Sequence, residues 1–177
     1  MDPARSRWHP RLVQPRLALA LSLLLALAAS ARGEGAPWQV GDRLEPVELE
    51  DAHGVPGRID EAVRLVVFSA DMDGGKVVQQ ALSDPALQDL AAHGVAYVAD
   101  VSRMPSLVTR LFALPSIRRR PYRTLLDPGP GPTVRIPREP GKVTLLALDG
   151  LAVRSVAFVD APDAVAAAIR AAGAGGS

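Results

Sequence analysis

A strongly apolar run at residues 65–70 ends abruptly at an acidic turn, and the apolar residues that follow recur at helical spacing. The run is rich in β-branched residues without strict alternation, which is typical of a strand buried on both faces. The turn, residues 71–76, has the sequence Asp-Met-Asp-Gly-Gly-Lys. This stretch therefore predicts a buried strand, a tight turn and a helix. Ligands and catalytic groups of open α/β sheets lie where such a strand ends and the next helix begins, so the turn is the first candidate site.

The rest of the chain predicts further strands and helices around this unit. Strands are expected at residues 44–49, 95–101 and 122–126, and helices at 76–82, 84–93, 105–114 and 162–172. We expect Pro115 and Gly173 to end the last two of these helices. The pair Asp149-Gly150 between two β-rich runs predicts a hairpin. Parallel strands joined by helices predict an α/β fold with one central sheet.

The N-terminal residues have the three parts of a secretory signal. Four arginines precede an uncharged run at residues 17–29, and small residues follow up to Ala31. The run is shorter than the roughly 20 apolar residues of a membrane-spanning helix. We expect cleavage after Ala31 and a bacterial periplasmic or secreted protein with no stable membrane span, an uncleaved signal anchor being the alternative. The expected organisation is a signal peptide at 1–31, a linker at 32–40, a domain at 41–173 and a flexible tail at 174–177.

The chain contains no cysteine. An exported protein without cysteine cannot use disulfides, thiolate metal sites or thiol redox chemistry. Beyond the signal segment, acidic and basic residues nearly balance, which gives no electrostatic reason to expect nucleic-acid binding. We therefore expect no cofactor, no metal, no catalytic residue and no nucleic-acid partner.

The order of elements resembles the thioredoxin-like superfamily, in particular its branch of peroxiredoxins and envelope thiol-disulfide reductases. In that family the core strand ends in a pattern like Phe-Trp-Ala followed by Cys-x-x-Cys-Lys. Here Met72 and Gly75 stand where the two cysteines would be. The resemblance implies a three-layer α/β sandwich, a central mixed sheet flanked by helices, with a proline-rich insertion at 128–141 and without redox activity. The residues that carry it are Gly41-Asp42, Leu44, Pro46, Leu49, Gly54, Phe68-Ser69-Ala70 and Lys76.

The same family has a cis-proline that faces the cysteines just before the next strand. Pro121, which follows Arg120 and precedes the strand at 122–126, is the matching candidate. The resemblance then implies a non-catalytic binding or accessory module whose groove accepts an extended protein or peptide. The groove residues would be Asp71, Met72, Asp73, Gly74, Gly75, Arg120 and Pro121. The arginine run 118–120 is typical of a solvated loop, with anion binding as the alternative, because arginine forks suit carboxylate and phosphate.

The two aspartates of the turn admit other interpretations. Asp71 and Asp73 resemble the first motif of haloacid-dehalogenase-type phosphatases, which would make the protein a magnesium-dependent hydrolase. They also begin like a calcium loop, but Leu82 stands where the closing glutamate would be. We favour the interpretation that both aspartates cap the helix and that the two glycines permit the turn.

Overall fold

Seven strands form one mixed sheet in the computed structural model of the chain, which describes residues 35–105, 111, 113–129 and 131–175. The sheet order is β2-β1-β5-β4-β3-β6-β7, with β3, β4 and β5 parallel and the other neighbours antiparallel. The strands are β1 Val47–Asp51, β2 Pro56–Ile59, β3 Leu65–Ser69, β4 Val95–Asp100, β5 Leu125–Asp127, β6 Val143–Asp149 and β7 Ala152–Val159. The predicted α/β class with a central mixed sheet is confirmed.

Three α-helices and two 3₁₀ turns accompany the sheet in the described part of the chain. The helices are α1 Met72–Ala81, α2 Leu114–Arg118 and α3 Pro162–Ala174, and the 3₁₀ turns are Pro85–Leu87 and Pro132–Arg135. Within this part of the chain, no helix has the length and apolar character needed to cross a bilayer. The predicted signal segment, residues 1–31, lies outside the described residues.

The central strand β3 is buried on both faces, as its unpatterned apolar sequence predicts. All five of its residues are buried. Leu65 and Val67 pack on one face in a cluster with residues of α1 and α3. Val66 and Phe68 pack on the other face, which is covered by the N-terminal segment around Trp38 and by the proline-rich segment. The second layer on that face is therefore built from irregular chain, with the 3₁₀ turn at Pro132–Arg135 as its helical part.

Two of the predicted helix boundaries are wrong. Pro115 lies in the first turn of α2, where proline is favoured because the N–H it lacks would have no partner in the helix. Gly173 lies inside α3, where a Cβ atom would collide with the imidazole ring of His93. Of the helix expected at 84–93, only the turn Pro85–Leu87 forms, capped by Asp84, whose carboxylate accepts from the N–H of Ala86 at 3.0 Å. Most of the helix predicted at 105–114 lies outside the described residues.

Candidate functional site

The carboxylate of Asp71 joins two segments at the carboxyl end of β3. Its Oδ1 accepts a hydrogen bond from the backbone N–H of Gly74 at 2.9 Å and so caps α1. Its Oδ2 accepts from the backbone N–H of Gly141 at 2.7 Å. The predicted capping role is confirmed for Asp71, and the second bond ties the beginning of α1 to the loop before β6.

Gly74 allows the backbone of that loop to approach the helix. A Cβ atom at Gly74 would lie 2.9 Å from the carbonyl oxygen of Lys142, closer than a real side chain tolerates. A Cβ atom at Gly75 would have no neighbour within 4 Å. The two adjacent glycines therefore differ, because only Gly74 is required by a contact.

The electrostatics of the turn keep Asp71 ionised. Burial pushes the pKa of Asp71 upwards, but hydrogen bonds from the backbone N–H groups of Gly141 and Gly74, together with the positive charge of Arg103, lower it overall. Each carboxylate oxygen already accepts a backbone hydrogen bond. Such a group is stabilised as a static anion, so it is poorly suited to act as a nucleophile or as a proton donor.

Asp73 does not converge with Asp71. It lies in the first turn of α1, its side chain is 73% exposed, and it accepts a hydrogen bond from Nζ of Lys76 at 2.8 Å. Among the described residues no group of three or more acidic or histidine side chains could hold a metal ion. The geometry gives no support to the alternative of a magnesium-dependent hydrolase.

An ion pair lies at the carboxyl end of β4, the strand next to β3. Asp100, the last residue of β4, is buried and accepts from Nη1 of Arg138 at 2.8 Å and from the N–H of Ser102 at 2.9 Å. The guanidinium carbon of Arg138 lies 5.0 Å from the ring centroid of Phe68, so this cation also packs on the aromatic face. Arg138 thereby anchors the proline-rich segment to the sheet.

The third parallel strand ends in the same way. Asp127, at the end of β5, is buried and accepts hydrogen bonds from the hydroxyl of Thr133 and from the N–H of Gly129, the latter at 3.2 Å. An aspartate therefore follows or ends each of β3, β4 and β5, and each one binds a nearby loop. The carboxyl edge of the sheet, where this class of fold places its chemistry, is held by structural hydrogen bonds.

The cis peptide bond predicted before Pro121 is absent, since no peptide bond in the described chain is cis. The reason is topological. β5, the strand after Pro121, lies between β1 and β4, whereas the antiparallel neighbour of β3 is β6. Gly141 and Lys142, the two residues directly before β6, are the ones that contact the Asp71 turn.

The predicted groove residues fall into two groups. Residues 71–75 follow β3 at the carboxyl edge of the parallel strands, and the side chain of Met72 there is 68% exposed. Arg120 and Pro121 precede β5, towards the amino edge of the same strands. Two cavities are lined by Pro121, and neither is lined by any of residues 71–75.

The larger of these cavities, of about 740 Å³, is called the groove below. β5 pairs only with Val98–Asp100 of β4, so in the described structure residues 95–97 have no strand beside them on that side. The groove occupies this position. Its apolar lining includes Val63, Leu90, Val95, Ala96 and Leu125, and its charged lining consists of Arg58, Asp60, Asp89 and Arg123.

The smaller cavity, of about 250 Å³, is called the polar cavity. Two of its lining residues, Tyr122 and Thr124, are buried, and neither hydroxyl has a hydrogen-bond partner. An unsatisfied buried polar group costs about 1–3 kcal/mol, so such groups are rare in native proteins. The complete lining is Asp51, Ala52, His53, Ile117, Arg120, Pro121, Tyr122, Arg123 and Thr124.

Two tyrosine rings pack against each other in a tilted arrangement beside the polar cavity. The ring centroids of Tyr97 and Tyr122 are 6.2 Å apart, and the guanidinium carbon of Arg120 lies 5.9 Å from the centroid of Tyr122. Burial raises the pKa of both phenols, while the charge of Arg120 opposes that rise. Both hydroxyls are therefore protonated near neutral pH. That of Tyr97 shares a hydrogen bond with Ser69 at 3.0 Å.

Comparison with known proteins shows which solved structures share this fold. No family model and no curated protein sequence matches the chain. The structure is similar to the peroxidoxin BcpB of Mycobacterium tuberculosis, with 23% identity, a TM-score of 0.50, and coverage of 75% of this chain and 97% of that one. It is also similar to a Chlorobium tepidum protein assigned as the thiol:disulfide interchange protein DsbE, with 16% identity, a TM-score of 0.51, and coverage of 76% and 97%. The fold is thioredoxin-like.

A third neighbour supports the same fold. A Bacteroides thetaiotaomicron protein assigned as a protein disulfide isomerase is 13% identical, with a TM-score of 0.51 and coverage of 77% of this chain and 89% of that one. The present thioredoxin-like chain has no cysteine, which is consistent with a redox-inactive member.

Two parts of this thioredoxin-like structure were missed by the sequence interpretation. The contact of Gly141 and Lys142 with the Asp71 turn had one signal, a Pro-Gly pair directly before a β-rich run. The unpartnered hydroxyls of Tyr122 and Thr124 had none, because their burial depends on how β5 packs.

Proposed function

We propose that this protein is an exported, redox-inactive member of the thioredoxin-like fold that acts as a non-catalytic binding module. The observation that carries the proposal is that both carboxylate oxygens of Asp71 already accept hydrogen bonds, from the backbone N–H groups of Gly74 and Gly141. This carboxylate stands at the turn where the resemblance implies redox cysteines. The turn therefore serves stability, and binding is assigned to the open groove beside Pro121.

The partner that fits the groove is an extended polypeptide. Residues 95–97 of β4 have no strand on the groove side among the described residues, so the groove has room for an extended segment beside β4. The N–H of Val95 already donates to the carbonyl oxygen of Leu90 at 2.8 Å, so the segment would be held by the groove lining more than by pairing at Val95. Apolar walls such as Leu90 and Val95 suit an apolar side chain, and the charges of Arg58 and Asp60 suit a polar backbone nearby.

Export is supported by the basic start, the short apolar run and the small residues that end at Ala31. The test is to express the full chain in a bacterial host and to determine the N-terminus of the exported form. Cleavage after Ala31 gives a mature chain beginning at Arg32. Retention of the whole chain in the cytoplasm would contradict export and leave the binding role to be tested separately.

The binding role is tested by filling the groove from its rim. Ala91 is exposed and lines the groove, whereas Ala92 is exposed and does not. We expect Ala91→Trp to weaken binding of an extended peptide, selected from a random library and measured by fluorescence anisotropy, by at least about tenfold. Ala92→Trp is the matched control and should bind as the parent does. Equal binding by both variants, or a library that yields no binder, would contradict the proposal.

A further inference from the structure

The polar cavity contains a cation that no carboxylate neutralises. Arg123 forms an ion pair with Asp51 at 3.1 Å and donates to the carbonyl oxygens of Val55 and Pro56. Arg120 has no carboxylate partner among the described residues. Its guanidinium packs on the ring of Tyr122 and lies beside the hydroxyls of Tyr97 and Tyr122, where it opposes the rise that burial causes in their pKa. One positive charge is therefore left over in the lining of the cavity.

Two buried donors line the same cavity. The side chains of Tyr122 and Thr124 are 7% and 2% exposed, and neither hydroxyl has a partner in the structure. The phenol stays protonated because burial raises the pKa of Tyr122. Two O–H donors and an uncompensated guanidinium together require an acceptor that carries negative charge.

The charge of the lining favours a singly charged acceptor. Asp51 also lines the polar cavity, and its carboxylate would repel a doubly charged phosphate more strongly than it would repel a carboxylate. The planar fork of an arginine also matches a carboxylate well.

The polar cavity adjoins the groove, because Pro121 and Arg123 line both of them. A polypeptide that placed an apolar side chain in the groove would therefore bring a carboxylate of the same residue to the polar cavity. The α-carboxylate of a C-terminal residue is bonded to the same Cα atom as its side chain, so it suits two adjoining cavities of this kind.

We propose that the polar cavity binds the carboxylate of a C-terminal apolar residue, with Arg120, Tyr122 and Thr124 as its ligands. This inference rests on the proposed polypeptide-binding function and specifies which end of the partner is recognised.

The test titrates the full chain with each of four compounds and follows binding by NMR. The first comparison is N-acetyl-leucine with N-acetyl-leucine amide, and the second is sodium acetate with sodium phosphate. We expect the acid to bind at least about tenfold more tightly than the amide, and acetate more tightly than phosphate. Equal affinity for acid and amide, stronger binding of phosphate, or no binding of any carboxylate would overturn the proposal. Binding of library peptides regardless of their C-terminus would overturn it while leaving the proposed function intact.

Variants then assign the ligands. Arg120→Gln and Thr124→Val should each reduce affinity for the acid, the former by at least about tenfold. Thr124→Val keeps the shape of the side chain, so it tests the site even if Arg120→Gln fails to fold. Arg119→Gln is the matched control, since Arg119 is exposed and does not line the cavity. A loss of affinity in Arg119→Gln equal to that in Arg120→Gln would contradict the assignment.

Discussion

The carboxylate of Asp71 accepts a hydrogen bond from the backbone N–H of Gly141, 70 residues further along the chain, at 2.7 Å. The same carboxylate caps α1 through the N–H of Gly74. One side chain therefore satisfies donors from two distant segments, and it fixes the loop before β6 against the beginning of the helix. The charged turn that first suggested catalysis has a structural explanation.

Replacement of Asp71 should show how much these two hydrogen bonds contribute to stability. We expect Asp71→Ala to lower the free energy of unfolding by about 2–4 kcal/mol, because it removes a helix cap and a charge-assisted hydrogen bond. Asp71→Asn should also destabilise, by about 1–3 kcal/mol, because an amide has one acceptor oxygen and would present an N–H to one of the two backbone donors. Chemical denaturation measures both values.

The control for these variants is Asp73→Ala, which removes an exposed carboxylate from the same turn. It should leave the midpoint of denaturation nearly unchanged. Wild-type stability in Asp71→Asn would show that the bond to Gly141 contributes nothing.

The lowered pKa of Asp71 predicts a loss of stability in acid. Because the folded-state pKa lies below the ordinary value of 3.8, the stabilisation is fully present above pH 3.8 and is lost as the pH falls through the folded-state pKa. Asp71→Asn has no proton to bind there, so its free energy of unfolding should fall less steeply below pH 3.8 than that of the parent. Parallel slopes in urea titrations at a series of acidic pH values would contradict this prediction.

The two adjacent glycines should respond oppositely to alanine. Gly74→Ala places a Cβ atom 2.9 Å from the carbonyl oxygen of Lys142, so it should destabilise the fold by about 1–3 kcal/mol. Gly75→Ala meets no atom within 4 Å and restricts the unfolded chain, so it should stabilise by up to about 1 kcal/mol. Thermal melts of the two variants measure both effects. Stabilisation by Gly74→Ala would show that Lys142 can move away, and destabilisation by Gly75→Ala would show that Gly75 is also required.

Two buried threonines form a second matched pair. Thr124 is 2% exposed with an unpartnered hydroxyl, whereas Thr144 is 1% exposed and donates to the carbonyl oxygen of Pro137 at 2.6 Å. In the absence of ligand, Thr124→Val should raise the free energy of unfolding by about 1 kcal/mol, and Thr144→Val should lower it by a similar amount. Destabilisation by Thr124→Val would show that its hydroxyl is already satisfied.

The absence of cysteine predicts a negative enzymatic result. Neither insulin-disulfide reduction nor peroxidase turnover should exceed a mock preparation, because no thiolate can form. Reproducible turnover that follows the protein through purification would refute a redox-inactive role.

The sequence by itself determined the central unit of the fold. The apolar, β-branched run at residues 65–70 had to be a buried strand, and the capping preference of Asp71 correctly identified it as a cap of α1. The helix itself begins at Met72, four residues earlier than predicted. These features are local, because burial pattern and capping depend on residues within a few positions of each other. The absence of cysteine, and with it of any thiolate, is also a property of composition alone.

Only the tertiary structure decided which segment faces the Asp71 turn. A proline before a predicted strand favoured Pro121, yet the partner is the loop at Gly141, because β6 is the neighbour of β3 and β5 lies two strands away. Strand order depends on contacts between residues far apart in the chain, which no local pattern records.

The hairpin between β6 and β7 also combines a local sequence signal with a feature that only long-range packing decides. The pair Asp149-Gly150 located the turn, but its two central residues are Gly150 and Leu151, both with positive φ, since Asp149 pairs with Ala152. Leu151 adopts this unfavourable conformation, which costs about 1–2 kcal/mol, while its side chain is 1% exposed in the core. Burial of a leucine contributes about 1.5–3 kcal/mol, so long-range packing outweighed the local preference that the sequence displays.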